Sequence, residues 1–147
     1  MALQFSTDAK NYIVNQALVD AIAGTCGTGG TASLNIYTGA QPANADAATS
    51  GSLLCTISSI GWTATTGTTS GTAALANTAG YSGTATDTGT AGWARLQTVG
   101  AGYDGAAATF RIDGDVGTGA TCVFVINTPS INTGGVVTLL TAPISMA

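Results

Sequence analysis

Hydrophobic positions along this chain follow two periods. In the first part, Val14, Leu18 and Ile22 recur every fourth residue, flanked by Ile13, Ala17 and Ala21. Lys10, Asn11, Asn15 and Asp20 occupy the opposite side. Spacing of i, i+4 and i+8 lines one face of an α-helix, so an amphipathic helix is predicted over about residues 7–23. Ser6 or Thr7 can cap it, Asp8 adds negative charge to its first turn, and Gly24 stops it. A helix with an apolar stripe must lay that stripe on something, most simply the face of a sheet.

After Gly24 the period changes. Short β-branched runs alternate with Gly, Asn, Asp, Ser and Pro, the pattern of strands and turns. Strands are predicted at 33–37, 53–60, 72–76, 92–99, 107–112, 120–127 and 136–142. Leu34 and Ile36 alternate with Ser33 and Asn35, which fits one buried and one polar face. The run Val123-Phe124-Val125-Ile126 is apolar on both sides, as a central strand would be. Asp113-Gly114 reads as a tight turn after the strand ending at Ile112. Residues 61–91 are rich in Thr, Gly and Ala and offer little to bury. They read as long surface loops, or as flat strands completed by a neighbouring chain. The predicted class is mainly β: an antiparallel β-sandwich or jelly-roll-like domain with one N-terminal α-helix packed on it. Residues 1–6 form an arm, and 7–147 one β-rich domain.

Composition narrows the function. Hydrophobic residues make up 45% of the 147, but charged residues only 7%, against a usual ~25%. There is no histidine, and Lys10, Arg95 and Arg111 are the only bases against seven aspartates. A net charge of −4 with so few bases argues against a nucleic-acid face or an anionic membrane surface. No run is long enough to span a membrane, and the first eight residues do not have the pattern of a secretory signal. A surface this poor in charge is either hydrated by hydroxyls or covered by neighbours in an assembly.

The chemistry available is thin. Without histidine there is no Ser-His-Asp or Cys-His arrangement, and a Ser-Lys dyad would rest on Lys10 alone. Cys26, Cys55 and Cys122 are scattered, which suits neither zinc nor complete disulfide pairing. Cys55 and Cys122 lie in apolar, strand-like runs and read as buried; Cys26 lies in a Gly/Thr loop. Folding in a reducing compartment follows. Asp113 and Asp115 could offer oxygens to a hard cation such as calcium, but the turn is the simpler reading and no cofactor is expected. Arg95 and Arg111 are placed to pair with Asp113 or Asp115, or to face a partner. Trp62 and Trp93 each follow a glycine and read as core or core-rim aromatics, each with the alternative of an exposed platform for a sugar ring or a partner. Leu3 and Phe5 either staple onto the helix or reach a neighbouring subunit. Leu3, Phe5 and Trp62 are the interface candidates. The chain is expected not to be an enzyme.

A series of turn and core motifs runs the length of the chain. They are Ala21-Ile22-Ala23-Gly24, then Leu34-Asn35-Ile36-Tyr37-Thr38-Gly39 followed by Gln41-Pro42-Ala43, then Gly51-Ser52-Leu53-Leu54. Gly89-Thr90-Ala91-Gly92-Trp93-Ala94-Arg95, Asp113-Gly114-Asp115-Val116-Gly117-Thr118 and Ile131-Asn132-Thr133-Gly134 complete the order. In this order the chain resembles small structural proteins encoded among the head genes of tailed bacteriophages. The resemblance implies a virion protein folded in the bacterial cytoplasm, most simply a decoration or cement protein on the capsid surface. Its partners would be the major capsid protein and itself, as a homotrimer. It implies no catalytic residues. A tail, connector or fibre-associated protein is the alternative. A second is a carbohydrate-binding module using Trp62 or Trp93, with calcium at Asp113 and Asp115.

Overall fold

The computed structural model of the protein describes residues 32–64, 72–75, 79–98, 111–142 and 144–145. The predicted helix, the arm with Leu3 and Phe5, and Cys26 lie outside the described residues. Everything regular within them is strand: β1 (Ala32–Tyr37), β2 (Leu53–Ile60), β3 (Trp62–Ala64), β4 (Thr72–Leu75), β5 (Tyr81–Thr84) and β6 (Gly89–Thr90). There follow β7 (Trp93–Thr98), β8 (Arg111–Gly117), β9 (Phe124–Ile126), β10 (Ser130–Ile131), β11 (Val136–Thr141) and β12 (Ile144–Ser145). The protein is thus mainly β, as expected.

Seven strands form one sheet in the order β2-β1-β7-β8-β9-β11-β5. Its pairs are antiparallel except β8 with β9, where Val116 faces Phe124 in parallel register. The link between those two strands, 118–123, is far shorter than a parallel crossover usually needs. It is held by a turn from Cys122 N–H to the Gly119 carbonyl and by Val123 N–H donating 2.9 Å to Asp115 Oδ1. The sheet then curls until its two edges almost meet. Cys55 on β2 bridges Ala85 just past β5, and the Thr86 N–H donates 2.8 Å to the Leu54 carbonyl. Gly83 makes this seam possible, because a Cβ there would overlap the Thr56 carbonyl oxygen of β2. The result is a nearly closed, barrel-like body. Two small sheets accompany it, β10-β6 and β12-β4-β3.

Alternation decides what fills the interior. Leu34 and Ile36 of β1, Ala94 and Leu96 of β7, Phe124 and Ile126 of β9, and Val137 and Leu139 of β11 all point inward and are buried. Leu54, Cys55, Ile57 and Ile131 join them in one core cluster. Burying one such aliphatic or aromatic side chain contributes about 1.5–3 kcal/mol.

Two local expectations are corrected. The turn predicted at Asp113-Gly114 is absent; β8 runs straight through it to Gly117. Gly114 is not a turn residue but a clearance: a Cβ there would stand 2.8 Å from Val123 Cβ and 3.0 Å from the Phe124 ring. Gly114→Ala is therefore expected to destabilise the fold by about 1–3 kcal/mol through overpacking. Urea unfolding checks it, and wild-type stability would mean that β9 can step aside. The second correction concerns 61–91. This stretch supplies β3 to β6, and β5 is completed by β11 of the same chain rather than by a neighbour. Tyr81-Ser82-Gly83-Thr84 carries a single large apolar residue, so its strand has almost no hydrophobic signal.

Candidate functional site

The outer surface of the curled sheet has two unlike walls. One is built by the residues of β1, β7 and β8 that alternate with the core positions. In register they form rows across the strands: Thr56, Asn35, Arg95 and Asp113 in one, Tyr37, Trp93 and Asp115 in the next. Trp93 is fully buried, Arg95 is 3% exposed and Asn35 8%. The polar face of the sheet is thus covered at its centre. Part of the cover is segment 38–52, which leaves β1 and returns to β2. Thr38 N–H donates to the Ser52 carbonyl at 3.0 Å, and Ser52 N–H to Thr38 Oγ1 at 2.9 Å, closing its neck. Within it, Asn44 Oδ1 accepts from the Asp46 and Ala47 amides, an Asx turn.

The rows beneath are tightly bonded. Arg95 donates from Nε to Asp113 Oδ1 and from Nη2 to Oδ2, both at 2.7 Å, and from Nη1 to the Ala47 carbonyl at 3.1 Å. The Arg95 and Asp113 side chains are 4% and 3% exposed, so this is a buried, forked ion pair. Hydrogen bonding from Asp113 holds the guanidinium above its ordinary pKa, outweighing burial, which pulls the other way. The guanidinium also lies 5.4 Å from the centre of the Trp93 ring. That ring stacks on Tyr37 at 4.7 Å and 15°, and its Nε1–H donates 3.2 Å to the Ser50 carbonyl. Thr56 Oγ1 donates 2.8 Å to Asn35 Oδ1. No buried side-chain polar atom among the described residues lacks a partner.

At its centre this wall binds its own loop: Arg95 and Trp93 both donate to carbonyls of segment 38–52. Asp113 spends both oxygens on a cation the chain already supplies. Asp115 projects from the same face two residues on, exposed, and accepts the Val123 amide. Of the paired aspartates raised as calcium ligands, one is therefore occupied. Among the described residues no group of three or more His, Cys, Asp or Glu could hold a metal ion. Trp93 is fully buried, as expected of a structural aromatic, but on the face opposite the core cluster. Trp62 begins β3 and pairs with Leu75, and its side chain lies outside the described residues. Cys55 is buried and burial pushes its thiol pKa up, which keeps it neutral and unreactive. Cys122 is half-buried rather than buried.

The other wall is formed by β9, β11 and β5, and sequence reasoning did not single it out. Its outward residues are Ser82, Thr84, Val125, Val136, Thr138 and Leu140. Ser82 and Thr138 share a hydroxyl hydrogen bond of 2.9 Å. Val136 is 61% exposed and Leu140 44%. Not one of these strands carries a charge, and no charged residue occurs anywhere from 116 to 147. The signal was present in the sequence as that uncharged run, though only the register shows which of its residues turn outward. Compared with known proteins, the chain matches no family model, no curated protein and no solved structure.

Proposed function

We propose that this is a non-enzymatic structural protein of a virion, a capsid decoration or cement protein of a tailed bacteriophage. The observation that carries the reading is the division of the surface. One wall is sealed by the chain's own loop through a saturated polar network, and the other is uncharged, exposed and partly apolar. A body whose buried polar groups hold its own loop in place, and whose other face is neutral, is suited to pack against other protein. In this reading, 7–23 form the amphipathic helix that their apolar spacing predicts, lying against the β body. The motif order from Ala21 to Gly134 supports the same class.

Heads purified from phage lacking the coding sequence provide the test. Added protein is expected to bind them saturably and raise the melting temperature of the shell. Absence of binding overturns the decoration reading, and labelling found on the tail of intact particles would replace it with the tail alternative.

A further inference from the structure

Resting on that reading for its helix over 7–23, and not for the protein's place in a particle, we propose that this helix is the cover of the wall formed by β9, β11 and β5. Among the described residues nothing covers Val136 or Leu140, which stand exposed there. The wall of β1, β7 and β8 is already closed at its centre by segment 38–52, through Arg95 and Trp93. Of the segments outside the described residues, 7–23 alone has an apolar stripe, with Val14, Leu18 and Ile22 at every fourth position. Segment 65–71 is Thr- and Gly-rich, and 99–110 is Gly- and Ala-rich, carries Asp104 and has no such spacing.

Reach favours this cover. Residues 24–31 tie the helix to the body and span at most about 26 Å before β1 begins at Ala32. Ala32 pairs with Ile60 of β2. Four residues back along β2, the Thr56 carbonyl lies against Gly83 of β5, which runs antiparallel to it. Two residues before Gly83, Tyr81 pairs with Leu139 of β11. The tether therefore starts three strand spacings, about 14 Å, from Leu140 and near its level. This puts Ile22 at the Leu140 end of the wall and Val14 toward Val136. The spacings agree: Val14 to Ile22 is about 12 Å along a helix, and Val136 to Leu140 about 13 Å along a strand.

Size and charge agree as well. A helix over 7–23 is about 25 Å long and about 10 Å across. β11 has six residues, about 20 Å, and the axes of β9 and β5 lie about 10 Å apart across it. The wall holds no charge, and Lys10, Asn11, Asn15 and Asp20 lie on the helix's other side, so no ion loses its water. Ala17 and Ala21 flank the stripe and let the helix come close over the bonded Ser82 and Thr138 hydroxyls. A tethered helix does not need the area that holds two free molecules together. The wall is thus filled before a neighbour arrives. What reaches a neighbouring subunit is then the arm with Leu3 and Phe5, which the helix carries to the Val136 end.

Thiol labelling of the full chain tests the proposal. Leu140→Cys is made in a Cys26→Ser, Cys122→Ser background, in which Cys55 is buried. Adding Leu18→Asp is expected to speed its labelling at least about tenfold, because a charge facing the wall lifts the helix off it. Ala48→Cys, exposed over the opposite wall, is expected to label at one rate with and without Leu18→Asp. In the same background, Ile22→Cys with Leu140→Cys is expected to close a disulfide within one chain, and Ile22→Cys with Ala48→Cys is not. Circular dichroism confirms that each variant is folded; should Leu18→Asp unfold the body, the disulfide decides. Equal labelling with and without Leu18→Asp in folded protein overturns the proposal, and so does absence of the disulfide between positions 22 and 140. A disulfide formed only between chains assigns the wall to the helix of a second copy and overturns it too. Head binding is measured separately on wild type. Heads bound without the cover leave the decoration reading standing, and a cover without head binding removes that reading alone.

Discussion

Replacing Asp113 with Leu is expected to cost about 3–5 kcal/mol of folding stability, the usual cost of stranding one charge of a buried pair. Leucine leaves the Arg95 guanidinium almost fully enclosed, with Nε and Nη2 stripped of their acceptors and only the Ala47 carbonyl remaining. Arg95→Met strands the carboxylate instead and releases Ala47, and a loss of the same order is expected. The double variant, Arg95→Met with Asp113→Leu, discriminates between mechanisms. Replacing both members of a buried pair with apolar groups is often neutral, so most of the loss should return. Urea unfolding of the four proteins measures this coupling. Single losses below about 1 kcal/mol would mean that the pair behaves like an exposed one.

The second large effect is expected at Trp93. Trp93→Ala removes the largest fully buried side chain among the described residues, and truncations of this kind cost about 3–5 kcal/mol. Here the ring also stacks on Tyr37, lies beside the Arg95 guanidinium and donates to the Ser50 carbonyl. Its loss therefore loosens 38–52 as well as the sheet. Hydrogen exchange should show protection falling at the Thr38 and Ser52 amides, which close the neck of the loop. Trp93→Phe keeps the stack but not the donor, and a loss of about 1–3 kcal/mol is expected from the unpaired Ser50 carbonyl. Equal losses for Ala and Phe would make the hydrogen bond, not the ring, the anchor.

Both predictions concern a face that periodicity described only halfway. Alternation in Leu34-Asn35-Ile36-Tyr37 correctly assigned Leu34 and Ile36 to the core. It put Asn35 on the opposite, polar face and went no further, because a period of two separates faces but does not say whether the second is covered. Trp93 carried the missing hint: it alternates with Ala94 and Leu96, so a large aromatic had to sit outside the core and still be buried. Strands with strong β-branched runs, such as Leu53–Ile60, were found at their observed limits. β5 carries little signal because its place in the sheet depends on pairing with β11, more than fifty residues away, and not on its own side chains. Asp113-Gly114 misled for a related reason. Asp-Gly favours turns locally, but here Arg95 claims the aspartate and the ring of Phe124 leaves room only for glycine.

The near-closure of the sheet has a consequence for how such a chain survives at high concentration. Proteins usually remain apart in solution because their surfaces repel, and a chain with 7% charged residues has little repulsion to offer. The greater hazard for a Thr- and Val-rich sheet is polymerisation through open strand edges. By turning β5 onto β2, with the Cys55–Ala85 bridge and Gly83 at the seam, the main sheet shields both of its terminal strands. Protection against fibre formation is thereby moved from the surface charges to the topology, leaving the outward side chains free to be neutral.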